Sequence, residues 1–482
     1  MSNSFFIKNK ELDYIYKIDN ANNKEVINKK NDFKKIVNLI NKKDINENIK
    51  EVNIKEVNIK EDKVKYKINY NKLLENFVNN NEKKNNIIGG DSSIEENNNE
   101  YDNEDYWNNE CKEYNKIPHL MEKRDRIIAI GDIHGDWELT LKCLKLAKVL
   151  NKDCTNENNA KWIGGNTVVI QIGDQIDRCR PMAGQKCEDK YKETELLDDE
   201  HSDIRIMKFF TQLDSMALEN KKDGKKDSGR VISLLGNHEI LNSQKKMTYV
   251  SAKGLACYDN DCDEDFLLNA NNKELKEMIK KGKKKRKKDF TPGNKMAIFM
   301  GCTRLSAIVI GKFLFIHAGI LPKLAQKIKN KFPESRSLKD LNIIITKWLL
   351  GKIKNNEEID GIGSIMDILT KYELSPFWPR VLGNLENDLK MENKSCQEDF
   401  KPTFEILNPN IKNMVIGHTP QFYANNMGLN STCDNQIWRI DTGSSIAFNV
   451  LGDSSKEHRK IQILEILNDG EEVNIIKEIT KS

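Results

Sequence analysis

No stretch of this chain approaches 18 uninterrupted apolar residues, so a membrane span is not expected. Neither sign of charge dominates: 78 basic and 74 acidic residues leave a net charge of +4. That balance gives little support to a nucleic-acid-coating protein or an acidic tail. The first residues, Met1-Ser-Asn-Ser-Phe-Phe, lack a basic segment leading into a long apolar run, so a secretory signal is not expected. Cysteine is sparse, with ten in 482 residues. None forms a CxxC pair, and Cys257 and Cys262 lack the second pair that a zinc site needs. Reduced thiols in a cytoplasmic protein are therefore expected, rather than a disulfide scaffold.

What is present divides the chain unevenly. Residues 1–115 are rich in Asn, Lys, Glu and Ile and carry a tandem EVNIK copy at Glu51 to Lys60. Apolar residues are too sparse there to bury a core, so a largely disordered arm is expected. From Pro118 short β-branched runs appear, each ending in polar residues. They are Arg126 to Ile130, Thr167 to Ile172, Val231 to Leu235, Phe313 to Ile316 and Met414 to Ile416. Such runs read as strands buried on both faces. Helical spacing falls between them, over Trp137 to Leu150 and Ile204 to Leu218. Alternating strand and helix predict an α/β domain over 118–482. Two inserts interrupt it. Residues 180–203 read as a polar loop. Residues 245–292 read as a helix near Lys273 to Lys281, followed by a solvated, flexible basic run, 280–288.

In α/β sheets ligands bind beyond the carboxyl ends of strands. Each of the five runs ends in side chains that can bind metal or move protons. Asp132 and His134 lie in GDIHGD, and Asp174, Asp177 and Arg178 in GDQIDR. Asn237 and His238 lie in GNHE, His317 in FIHAG and His418 in VIGHTP. Four of the seven histidines fall at these positions. Taken alone, any one of them reads as an ordinary core or surface residue. Five motifs in order read as a two-metal site. The oxygen and imidazole donor set, with no thiolate, suits Mn, Fe or Zn. Asp174 is placed to bridge, because its strand should lie between the others. Two ions roughly 3.5–4 Å apart form a clamp for displacement at phosphorus.

The ordered set resembles the metallophosphoesterase (calcineurin-like) superfamily and its phosphoprotein phosphatase branch, most of all the Shewanella-like phosphatases. Leu235 before GNHE, the segment Pro376-Phe-Trp-Pro-Arg380 and the strand Trp438-Arg-Ile-Asp-Thr-Gly443 carry the narrower likeness. The resemblance implies a four-layer α/β-β/α sandwich and two divalent metal ions. Asp132 and His134 would hold the first ion, Asn237, His317 and His418 the second, with Asp174 bridging. His238 would be the general acid and Asp177 the carboxylate that orients it. Arg178 and Arg380 would grip the phosphate. Two positions depart from the pattern: Cys179 where a glycine is usual, and Pro379 in place of Tyr.

The implied reaction is hydrolysis of a phosphomonoester by a water bridging the two ions. The expected partner is a phosphoprotein or phosphopeptide, with no membrane and no nucleic acid; oligomeric state is open. Two alternatives compete. One is cleavage of dinucleoside polyphosphates, or nuclease action, on the same site. The other is an inactive scaffold that binds partners through the arm. Glu239 is expected to cap or support, and Asp441 reads equally as a partner of a metal ligand or a strand-end turn.

Overall fold

The computed structural model describes residues 105–478, apart from 183, 190–198, 221–227, 259–263, 332–336, 360, 409 and 452–457. The expectation for most of the arm, including the EVNIK copies, lies outside the described residues. Its last part does not: Asp105–Glu110 is a helix, and Cys111 after it is fully buried in a small cluster with Cys302, Ile343 and Leu350.

Two six-stranded sheets form the core. In the first, β1 (Arg126–Ile130), β2 (Val168–Gln171) and β3 (Arg230–Leu234) run parallel, with Arg304–Leu305 parallel beyond β3. Gln462–Leu467 joins the other side of β1 antiparallel. In the second, β4 (Phe313–Ile316), β5 (Asn413–Ile416) and β6 (Ile437–Arg439) are parallel neighbours in that order. Strand alternation sorts the side chains. Ile127, Ala129, Ile170 and Ile232 of the first sheet pack on Phe313, Phe315 and Val415 of the second. Ile128, Ile130, Val169 and Val231 face the other way, onto α1 (Trp137–Leu146) and α2 (Asp203–Glu219). Leu314, Ile316, Met414 and Ile416 face the helices beyond the second sheet. The result is the expected four-layer sandwich, helices outside and two sheets within.

The elements end for identifiable reasons. Asp136 caps α1 by accepting the Leu139 N–H at 2.8 Å. The helix stops four residues short of the predicted Leu150. Lys148 takes a left-handed conformation (φ 55°), and Leu150 then pairs with Trp162 in a β-bridge. Burial of Val149 and Leu150 thus serves a turn and not a helix face.

Two expectations are corrected. The basic run is not a flexible insert, since Asn272–Phe290 is one continuous helix that includes it. Nor are most of the cysteines among the described residues reduced. Cys111–Cys302, Cys179–Cys187 and Cys396–Cys433 are disulfides, and Cys257 is also disulfide-bonded. Cys143 and Cys154 are free and buried. Pairing across 191 residues depends on which strands and helices meet, which cysteine spacing alone does not reveal. Among the described residues no helix is long and apolar enough to cross a membrane.

Candidate metal centre

Because β1, β2 and β3 are parallel, the residues that follow them emerge at one edge of the first sheet. The residues after β4 and β5 emerge against them. Hydrogen bonds lock the turns together: Ile133 and His134 donate their backbone N–H to Asp174 O at 3.1 and 2.9 Å. His418 N–H reaches Asp132 Oδ2 at 3.1 Å across the two sheets. The backbone is strained here. His134, Asp174, Asp177 and His418 all have left-handed φ, at 50°, 52°, 73° and 67°. Glycine permits the closest approach: a Cβ at Gly236 would overlap the Asp174 carboxylate.

Glu239 organises two of these turns. It opens the helix α3 (Asn237–Ser243) and is fully buried. Its carboxylate accepts the backbone N–H of Asp174 (3.0 Å), Gln175 (2.9 Å) and Gly236 (2.7 Å). It therefore does what was expected of it as a capping group.

The structure brings all six predicted ligands together. Ligand atoms of His134, Asp174 and His238 lie within 4.8 Å of one another, as do those of Asp174, His317 and His418. Asp174 belongs to both groups. Its Oδ1 accepts the His238 backbone N–H at 2.9 Å, and Oδ2 lies 3.4 Å from His317 Nε2 and 3.9 Å from His134 Nε2. Asp132 Oδ2 is 4.0 Å from His134 Nε2. Asn237 Oδ1 faces His317 Nε2 at 3.0 Å and His418 Nδ1 at 2.8 Å.

The chemistry of this donor set fits divalent cations. His134 Nδ1 is 3.2 Å from Ile176 O, His317 Nδ1 is 3.0 Å from Ile172 O, and His418 Nε2 is 3.2 Å from Trp378 O. A carbonyl only accepts, so each of these outer nitrogens carries a proton, and the inner one would be free to turn a lone pair on a bound cation. Burial, aided by Arg180, holds His134 well below the usual imidazole range, and burial with Arg380 does the same for His418; at His317 burial is outweighed by Asp174, which holds that ring above it until a cation takes the proton's place. Neutral imidazole is the ligating form. Four buried carboxylates, Asp132, Asp174, Glu239 and Asp441, surround the point of convergence. Burial pushes Asp132 up, and Asp441 and Asp174 add like-charge repulsion. Burial brings Asp441 to about 6, and its Oδ2 has no hydrogen-bond partner among the described residues. Bound cations would relieve that crowding.

His238 stands beside this cluster, fully buried. Its Nδ1 meets Asp177 Oδ2 at 2.8 Å, as predicted for that pair. Nε2 lies 3.8 Å from Asp174 Oδ2 and makes no hydrogen bond among the described residues. The arginines differ. Arg380 donates to His418 O at 2.7 Å, at the rim of the cluster. Arg178 donates to Gly135 O and to Glu200 Oε2, at 3.0 and 2.8 Å, with Asp199 3.7 Å away. Its guanidinium is thus engaged by carboxylates of the 180–203 insert. Cys179 fills the glycine position by turning into the disulfide with Cys187.

Three participants escaped the sequence reading. Asn242 lies one helical turn beyond His238 and donates to both Asp177 oxygens, at 2.9 and 3.0 Å. Its i+4 spacing was the available signal. Arg180 stacks 4.7 Å over Phe448 and donates to Asp177 O at 2.9 Å. Arg286 reaches Asp177 from the basic helix.

Comparison with known proteins agrees with this geometry. Residues 125–428 match the profile of the calcineurin-like phosphoesterase family. An uncharacterized protein of Acanthamoeba polyphaga mimivirus is 36% identical over 252 residues, 51% of this chain and 91% of that one. Shewanella-like protein phosphatase 2 of Arabidopsis thaliana is 24% identical over 67% of this chain and 73% of its own. Shewanella-like protein phosphatase 1 of Plasmodium berghei is 26% identical over 70% and 71%. The chain belongs to the calcineurin-like phosphoesterase family, on its Shewanella-like phosphatase branch.

Proposed function

We propose that this phosphoesterase is a metal-dependent phosphoprotein phosphatase. The observation that carries the proposal is the convergence of His134, Asp174, His317 and His418, with Asp132 and Asn237 against them, around a His238 that is paired with Asp177. The names of the two phosphatase relatives favour a phosphoprotein as substrate.

Asp132, His134 and Asp174 would hold one divalent ion, and Asp174, Asn237, His317 and His418 the second. Bound there, such ions polarise phosphoryl oxygens and lower the pKa of a water. The remaining work falls to the chain. Asp177 would accept the Nδ1 proton of His238, so that a second proton carried on Nε2 of the doubly protonated ring can be delivered to the departing oxygen, leaving the neutral ring with its proton on Nδ1. Arg380, anchored on His418 O, would meet the phosphate at the rim. Arg178 would do so by exchanging Glu200 for phosphate, a charge-assisted swap of one oxyanion for another. No side chain is needed as a covalent nucleophile.

A panel of phosphoserine, phosphothreonine and phosphotyrosine peptides beside diadenosine tetraphosphate, assayed with Mn, tests the reading. Turnover of the peptides supports it. Preference for the nucleotide would move the chain to polyphosphate hydrolysis. No turnover of either, in protein that retains no metal, would favour the scaffold.

A further inference from the structure

The basic helix, α4 (Asn272–Phe290), bears most of its lysines on the solvent side. Its inner stripe runs Leu275, Ile279, Gly282, Arg286 and Phe290, spaced by four, three, four and four. Gly282 lets the helix lie directly on the preceding segment, because a Cβ there would overlap the Leu255 carbonyl. That close packing sends Arg286 inward, to 1% exposure.

Three side chains receive its guanidinium. Nε donates to Asn242 Oδ1 at 2.9 Å, and NH2 donates to Asp203 Oδ2 at 2.8 Å and lies 3.4 Å from Asp177 Oδ1. The rings of Phe290 and Tyr258 stack at 5.0 and 5.7 Å. Asn242 in turn donates to both oxygens of Asp177, and Asp203 Oδ1 accepts the Asp177 backbone N–H at 3.2 Å. Asp177 is therefore gripped on every side except the one it offers to His238. Two buried carboxylates, Asp177 and Asp203, share the Arg286 cation. Desolvating an arginine this completely is costly, and packing alone would be served by an apolar residue.

We propose that Arg286 is a positioning residue for proton donation. It holds the Asp177 carboxylate in place through Nη2 and Asn242, and through Asp177 it sets the His238 ring. The insert that carries it is then a working part of the active centre. This rests on the phosphatase reading, with His238 as the proton donor.

The test compares two esters. A phosphoserine peptide releases an alkoxide that must be protonated; p-nitrophenyl phosphate releases a phenolate that needs little help. With Mn loaded, R286Q should lower kcat on the peptide about 10-fold more than on the aryl ester, with KM and Mn content held close to wild type. R286K, which keeps the charge without the planar fork, should fall between. Equal losses on both esters, or no loss, overturns the proposal. If R286Q does not fold, the same ratio is read on R286K, and a wild-type ratio there overturns it. A second readout needs no turnover. In metal-free protein, the melting-temperature losses of R286Q and D177N should combine to less than their sum, because both variants break one network. Additive losses contradict the coupling. If wild-type protein cleaves neither ester, the phosphatase reading itself fails, and the proton-donation role with it.

Discussion

Consider Glu239→Gln. The carboxylate serves three buried backbone donors, with Oε1 on Gln175 and Oε2 on Asp174 and Gly236. An amide has one oxygen. In its better orientation the oxygen keeps Asp174 and Gly236, and the NH2 opposes the Gln175 N–H. One buried donor is orphaned, at about 1–3 kcal/mol. The other orientation orphans two. At about 2 °C per kcal/mol for a domain of this size, the melting temperature should fall by about 2–6 °C. The charge change has a second effect. Burial and the nearby Asp174 disfavour the Glu239 charge when no cation is present. Removing that charge offsets part of the loss in metal-free protein and none of it in loaded protein, so the drop should be larger with Mn bound. The same three bonds aim Asp174 and Asn237, so Mn affinity should weaken by about 10–100-fold. Differential scanning fluorimetry with and without Mn, beside equilibrium Mn binding, reads both. Unchanged melting and unchanged affinity would refute the account of this carboxylate.

Other perturbations follow from the same geometry. His238→Asn should lower turnover of an alkyl phosphomonoester by about 10²–10⁴-fold with the fold intact, and an aryl ester should suffer less; near-normal alkyl turnover would sink the general-acid assignment. In denaturant, alkylation before reduction should label Cys143 and Cys154, which are buried in the folded chain, and Cys111, Cys302, Cys179, Cys187, Cys396 and Cys433 should label only after reductant. Peptide mapping that finds those six reactive without reductant would restore the thiol reading. The 37-residue Cys396–Cys433 separation makes that bridge worth about 4 kcal/mol on loop entropy alone, so C396S/C433S should melt lower. Burial and Glu398 push Asp399 to about 6. A raised carboxyl pKa means that the folded state holds the proton more tightly, so the ionised side chain costs stability above the unfolded value, increasingly until pH passes about 6. Asp399→Asn should therefore stabilise at pH 7–8 and make no difference below pH 4, and urea melts at both pH values check this.

The sandwich and the convergence of the six candidate ligands were legible because both are written locally. A buried parallel strand is a short β-branched run, and the residue after it points at the site; Asp132, Asp174 and Asn237 are found by that rule alone. The His238–Asp177 pairing came from the family resemblance. What stayed hidden depends on packing between distant segments. Arg286 sat within a lysine run whose composition suggested solvent, although the stripe Leu275, Ile279, Gly282 and Phe290 marked its face as inward. Arg178 was read as a phosphate clamp, and nothing in its motif announced that Glu200 would reach its guanidinium. The disulfides were invisible for the same reason. Cys111 and Cys302 meet only because the helix Asp105–Glu110 docks beside Lys295–Thr303.

The most direct measurement is metal stoichiometry. Protein loaded with Mn and passed through gel filtration should retain two ions per chain by mass spectrometry, and Asp174→Asn should lose both together, since that carboxylate serves both ligand groups. Loaded wild-type protein that emerges without metal, or an Asp174→Asn variant that keeps both ions, would contradict the shared two-cation site.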